Sequence, residues 1–447
     1  MFHKKLVIAL PLIVYISLLI WPIPINNLEN AAFPIVIIGQ YHIRITEILF
    51  WILFLVYEIK IIASSLINRE SNCNKRKRRI IAQLLGSENK GWVVAFLLII
   101  MMTVSLIRGI INNNPLISLD LRGLSYCLII PLIMNATRSL LELVRQVTKI
   151  YWVLTILAVI NFISIISGTK NSLFQSNNLA LILILYLACL SIAYLLISRQ
   201  KPIMHIIIFI FAITTSLISL AKISILGVTL IILMSSIYAI FHNRRKRIRL
   251  LLIYAILTMT ITFIYLSGGL DILARNSSFY GQDSNFIDYY ENRIKRANIG
   301  DISGGRLDIW RFLISEGKNN LLFGSGIGVK REIVDYFLKQ NRNYIGEHNI
   351  VIYIFLRWGI FGVAIIIYIC QRMIRLWIKS IRMATSSANK MLLLSHLLFI
   401  IVFLTINMVG LYFTNFETAI CFWFSIAVSL LASSDNKTND IMKPSPL

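Results

Sequence analysis

Apolar stretches long enough to cross ~30 Å of hydrocarbon, about twenty helical residues each, recur from one end of the chain to the other with short polar breaks between them. They predict about twelve helices, at roughly 6–24, 44–66, 92–111, 121–140, 150–167, 178–198, 203–219, 223–241, 250–267, 349–369, 391–409 and 413–433. The first has a basic start but no small-residue cleavage site, so it reads as a retained span rather than a signal peptide. One hydrophilic stretch interrupts the rhythm. The expected organisation is therefore transmembrane helices over 1–267, a large loop over 268–348, further transmembrane helices over 349–433 and a tail over 434–447. The fold class this predicts is an all-α polytopic membrane protein.

The basic residues fall on alternate loops. Lys4 and Lys5 begin one series, which continues with Arg69 and Lys75 through Arg79, then Arg199 and Lys201, then Arg244 through Arg247 with Arg249, then Arg372, Arg375, Lys379 and Arg382. The intervening short loops carry almost none. Lys and Arg concentrate on the cytoplasmic side, so both termini are expected in the cytoplasm and the large loop outside it, and the alternation closes over the twelve predicted spans. Composition agrees: 57% of the residues are hydrophobic and 14% charged, which excludes soluble, fibrous and disordered classes. The formal net charge of +24 reads as topology and as attraction to anionic membrane lipid rather than as a nucleic-acid footprint. The five cysteines show no CxxC spacing, so neither a disulfide framework nor a thiolate metal site is signalled.

Between Gly268 and Glu347 lie ten of the twenty acidic residues and eleven basic ones, so the large loop is nearly neutral and well solvated. A loop of this length in a compact protein is usually functional. Within it, Ser303 to Gly317 reads as a helix stopped by glycine, with Leu307, Trp310 and Ile314 spaced to form one apolar face. A second amphipathic stretch runs over about 330–339, striped by Ile333, Val334, Phe337 and Leu338. Both are expected as short interfacial helices. Gly324-Ser325-Gly326-Ile327-Gly328 lacks the GxGxxG spacing and a preceding strand, and reads as a flexible turn or a place of close backbone approach.

Of the six histidines, His3 and His242 are expected in the cytoplasm, His205 near a cytoplasmic helix start, His396 inside an apolar run and His42 just outside the second span. His348 alone joins the large loop to a membrane helix, between Glu347 and Asn349. On position alone a lone histidine at a helix start is more often structural than catalytic. A neutral imidazole is nevertheless well matched to take a proton from a sugar hydroxyl, and a neighbouring carboxylate keeps its basicity up. Charges within apolar runs each need a reason. Lys222 at the break between the seventh and eighth predicted spans and Arg122 at the start of the fourth are both on the expected outer side. With Arg306 they can form a cationic cluster suited to a diphosphate, or singly they can snorkel to the interface. No clustered metal-ligand spacing, Walker A segment or Ser-His-Asp pattern is present, so catalysis is expected to need neither metal nor nucleotide, and no cofactor is implied.

At Gly305 to Trp310, Gly324 to Gly328, and Glu347-His348-Asn349 through Gly359 and Gly362, the chain resembles the bacterial O-antigen ligase and O-antigen polymerase superfamily. His348-Asn349 followed by nine residues and Gly359 looks like the family's ligase signature, and Arg306 followed by ten residues and Gly317 looks like an arginine motif of the polymerases. The resemblance implies a metal-independent membrane glycosyltransferase of GT-C type in the bacterial inner membrane, with about a dozen spans and one large periplasmic loop. It implies inverting transfer of glycan from undecaprenyl diphosphate to an acceptor hydroxyl, on a glycan for a polymerase or on lipid A-core for a ligase. By position, His348 resembles the general base, Arg306 the loop arginine on the diphosphate and Lys222 the cation at the helix turn. Arg122 is a further candidate for the diphosphate, and Glu347, Asn349 and Trp310 are candidate supporting residues. The ligase signature has Thr where Gly362 stands, and ligases usually have Arg where Lys222 stands; both departures favour polymerase. A chain-length regulator is a further candidate partner. Two other classes stay open: a lipid-linked oligosaccharide flippase or other transporter, which should show related halves or buried midplane charges, and a structural partner of a polysaccharide assembly complex.

Overall fold

The computed structural model describes residues 35–38, 41–44, 51–52, 55–56, 88–114, 117–137, 140–166, 178–197, 202–218, 222–241, 244–266, 306–329, 349–408 and 416–441. A small antiparallel hairpin comes first, β1 (Ile35–Ile38) against β2 (Tyr41–Arg44), with Ile35 opposite Arg44 and Ile38 opposite Tyr41. Helices follow: α1 (Glu88–Ile111), α2 (Ile117–Ser125), α3 (Ile129–Ala136), α4 (Leu140–Ile166), α5 (Asn178–Ile197) and α6 (Pro202–Ile218). After them come α7 (Lys222–Ile240), α8 (Arg244–Leu266), α9 (Arg306–Gly317), α10 (Ile350–Met383), α11 (Ser387–Ile406) and α12 (Phe416–Ile441).

Most of these helices fall where apolar runs predict them, and two of the departures, in α4 and α10, have a common cause. Helix α4 begins at Leu140 rather than near 150, α10 runs on to Met383 and α12 to Ile441. Arg145 and Lys149 in α4, and Arg372, Arg375, Lys379 and Arg382 in α10, mark where an apolar run ends, yet Lys and Arg are good helix formers and the backbone continues through them. The predicted span at 121–140 is three adjoining pieces: α2, a 3-10 turn at Tyr126–Leu128, and α3, which ends where Thr137 turns extended. The predicted span at 6–24, most of that at 44–66, and residues 267–305 and 330–348 lie outside the described residues.

Three described helical segments are long and apolar enough to cross a membrane: Glu142–Ile160, Ile350–Met383 and Ser387–Ile406. Shorter apolar helices, among them Leu181–Ile197, Pro202–Ser216 and Ser224–Ile240, pack beside them. The chain is an integral membrane protein of helical build. Its main core joins α3 to α8 with α11, α12 and the C-terminal part of α10. At the centre stands α5, apolar on every side and buried on every side from Leu181 to Ala193, as expected of a helix with no polar face.

Lipid tails are as apolar as leucine, so packing and polar contacts rather than a hydrophobic drive hold such helices together, at roughly 0.6 kcal/mol per interhelical hydrogen bond. Tyr254 on α8 bonds Ser235 at 2.8 Å and Ser236 at 3.0 Å on α7. Tyr186 on α5 bonds His396 Nε2 on α11 at 2.9 Å. The Nδ1 of the same imidazole lies 2.7 Å from the Leu392 carbonyl, an acceptor, so Nδ1 carries the proton and Nε2 receives the tyrosine hydroxyl. Tyr151 on α4 bonds His205 Nδ1 on α6 at 2.9 Å, and Tyr194 stacks on that ring with centroids 4.6 Å apart. Both histidines therefore join neighbouring helices.

Candidate functional site

Helix α10 opens on a cap. Asn349 is extended at φ −154°, and its side-chain oxygen accepts from the backbone N–H groups of Val351 at 2.8 Å and Ile352 at 3.2 Å. This satisfies donors that have no partner within the helix. Its amide group also donates to the Met408 carbonyl at 2.8 Å, and the N–H of Ile350 donates to the Asn407 carbonyl at 2.8 Å, so the start of α10 is tied to the end of α11.

Ten residues further on the helix breaks. Gly359 has φ 67° and ψ −164°, a conformation open to glycine and strained for other residues. A Cβ there would sit 2.2 Å from the Leu322 carbonyl oxygen. The break leaves carbonyls above it and N–H groups below it without helical partners, and in an apolar surrounding each needs one. The segment after α9 supplies them. Ser325 N–H donates to the Leu356 carbonyl at 2.7 Å and Gly326 N–H to the Arg357 carbonyl at 3.2 Å, while Ile360 N–H donates to the Leu321 carbonyl at 2.9 Å. On the other side of the same segment, Ile327 N–H donates to the Ser105 carbonyl of α1 at 3.1 Å.

The glycine-rich segment is thus wedged between α1 and α10, and it is a place of close backbone approach. A Cβ on Gly326, whose φ is 91°, would lie 2.4 Å from the Gly109 nitrogen. Residues at the end of α1 clamp its carbonyls: Asn112 donates to Ser325 at 3.0 Å, and Asn114 donates to Ser325 at 3.2 Å and Ile327 at 2.8 Å. Arg108 donates to the Asn320 side chain at 2.6 Å. All five N–H groups from Gly324 to Gly328 donate to protein acceptors, so this segment is filled by its own chain rather than presented to a phosphate.

The fifth of those donors, Gly328 N–H, reaches a carboxylate oxygen of Asp120 at 2.6 Å. Asp120 belongs to α2. It also accepts from the Tyr353 hydroxyl at 2.7 Å and from Arg357 Nε, and the two charged side chains are only 3% and 4% exposed. The Arg357 guanidinium lies over the Tyr353 ring, 3.6 Å from its centroid.

Helix α9 packs on α10 through Leu313, in one cluster with Val329, Ile352 and Leu356, and with Ile309, Trp310 and Phe312 at its edge. Gly317 meets the Phe355 ring so closely that a Cβ would sit 2.3 Å from it. The buried face is therefore Ile309, Trp310, Leu313 and Gly317. The expected face of Leu307, Trp310 and Ile314 is rotated by about one position, because the glycine lets α9 approach α10 there and leaves Ile314 exposed.

Of the residues singled out in the sequence, Asn349 is the buried cap of α10 and Trp310 is half-buried in α9. Arg306 is the first residue of α9, Lys222 the first of α7, and Arg122 lies in α2, two positions after Asp120. Their side chains, and Glu347 and His348 altogether, lie outside the described residues. Among the described residues no three His, Cys, Asp or Glu side chains gather to hold a metal ion. The sequence reading passes over Asp120, Arg357, Tyr353, Asn112 and Asn114. The signal for the first pair was present: Arg357 is a charge within the apolar run at 349–369, and Asp120 is an acid at the edge of another.

A search of curated proteins finds no match to this chain. The model of the O-antigen ligase family matches residues 207–367. That segment runs from α6 into α10 and takes in Lys222, Arg306, His348, Asn349 and the Gly359 break. The match supports a function of the O-antigen ligase or polymerase type in general, and over that segment the chain is similar to the O-antigen ligase family.

Proposed function

We propose that the protein is a polymerase of lipid-linked glycan repeats, with about twelve spans, both termini in the cytoplasm and the segment from α8 to α10 at the outer face of the inner membrane. The donor is glycan on undecaprenyl diphosphate and the acceptor a hydroxyl of a second glycan. His348 takes the hydroxyl proton as the acceptor oxygen attacks the anomeric carbon. The bond from that carbon to the diphosphate oxygen breaks, the configuration inverts, and undecaprenyl diphosphate leaves with the bonding electrons. Arg306, Lys222 and Arg122 hold the diphosphate, whose charge grows as the bond breaks, so cations there stabilise the transition state more than the ground state. A positioned base contributes about 10²- to 10⁴-fold.

The observation that carries this reading is the packing of two helices inside the family segment: the one that Arg306 opens and the one that Asn349 caps. Ligation to lipid A-core is the second reading, favoured by the family description itself; Gly362 and Lys222, where ligases have Thr and usually Arg, speak for polymerase. The test is a deletion strain complemented with His348→Ala. A polymerase defect leaves single repeats on the surface, because a separate ligase still transfers them. A ligase defect leaves long chains on undecaprenyl diphosphate and a bare acceptor. Unchanged chain length and unchanged capping would remove both enzymatic readings and favour a transporter.

A further inference from the structure

We propose that the buried Asp120 and Arg357 pair is a positioning device that fixes two of the reaction's cations, Arg306 and Arg122, and its base relative to one another; the proposal rests on the roles given above to Arg306, His348 and Arg122. The pair is the point where three separate parts of the chain meet. Asp120 brings α2, which carries Arg122 two residues on. Gly328 N–H brings the segment that continues from α9, which Arg306 opens. Arg357 and Tyr353 bring the upper turns of α10, which begin at Asn349 beside His348. Arg122 and Arg306 therefore sit on elements tied to the same carboxylate, either directly or through the segment that follows, and His348 directly precedes the cap of a third.

Stability alone is a poor account of this pair. Removing two charges from water is expensive, and apolar residues of similar volume often hold a fold as well or better. What an ion pair with several directed hydrogen bonds adds is a single geometry. Here Asp120 accepts from Arg357, Gly328 and Tyr353, and the Ser105 hydroxyl fixes the Arg357 carbonyl at 3.0 Å. Neither charged side chain is open to a substrate, so the pair acts through the residues it places. A misplacement of about 1 Å at a reacting group can lower turnover on the order of a hundredfold.

The experiment uses the full chain reconstituted in lipid vesicles with a lipid-linked glycan donor, and reads kcat, donor KM and the thermal midpoint together. The double replacement Asp120→Leu with Arg357→Met should keep or raise the midpoint, lower kcat by about ten- to a hundredfold and leave KM within about twofold, the pattern of lost transition-state positioning. Tyr353→Phe, which removes one hydroxyl, should lower kcat severalfold at an unchanged midpoint, and it decides the matter if the double variant does not fold. A folded double variant, or a folded Tyr353→Phe, with wild-type kcat overturns the proposal. His348→Ala and Arg306→Ala are measured beside them: full turnover in those two overturns the assigned roles of the motifs, whereas lost turnover there with wild-type turnover in the pair variants overturns the positioning role alone.

Discussion

Single residues decide whether the broken helix can form. Gly359→Ala puts a methyl group 2.2 Å from the Leu322 carbonyl and a side chain at φ 67°. It should destabilise by about 1–3 kcal/mol from backbone strain alone, with more from the contact, read as a lowered thermal midpoint in detergent. At the proposed diphosphate cations the expectation is different. Arg306→Ala should abolish or nearly abolish product at normal membrane levels, Lys222→Ala should do the same, and Lys222→Arg should keep much of the activity, because charge rather than shape is required of a point cation; measured chain length of the surface glycan checks all three. The glycines were legible in the sequence as motif positions, but their purpose was not, because a positive φ and a backbone partner more than thirty residues away leave no local trace. Arg357 was legible in principle: a charge inside an apolar run implies an opposite charge at the same depth. Asp120, some 237 residues distant, is a partner that periodicity does not reveal.

Elements were easier to read than their ends. Apolar runs located helices because a span must satisfy its own backbone in lipid, and Lys222 falls at the start of α7 where the break between two runs put it. Helix ends were set instead by caps and by tolerant residues such as Arg372 and Lys379. The cap of α10 can be tested directly. Asn349→Ala should lower stability by about 1–2 kcal/mol from the lost cap, with a further loss from the bond to Met408. Asn349→Asp keeps the acceptor for Val351 and Ile352 but loses the donor to Met408; thermal midpoints of the two variants therefore separate the cap from that bond. The face of α9 shows where periodicity falls short. Its apolar positions allow two neighbouring stripes, and the close approach at Gly317 selects between them.

For the whole molecule, sidedness governs every functional claim. In a variant lacking its five cysteines, a thiol probe from outside should label a cysteine placed at 280–300 and leave one at 244–249 unlabelled; the reverse pattern would put His348 in the cytoplasm and end the case for an outer-leaflet donor. The bundle's central helix has a consequence of its own. Because α5 is apolar on every side, burial is satisfied at any angle of rotation about its axis, and hydrophobicity gives it no azimuth. Besides close packing, the angle is marked by a few polar teeth: Tyr186 engaging His396 at 2.9 Å, Tyr194 engaging Thr148 at 3.2 Å, and the Ser191 hydroxyl 3.4 Å from that of Tyr151. Swaps among Leu, Ile and Val along α5 leave those three polar contacts in place, whereas trimming the tyrosine hydroxyls removes them and leaves the central pillar's azimuth to packing alone, as where Leu185 meets Gly227.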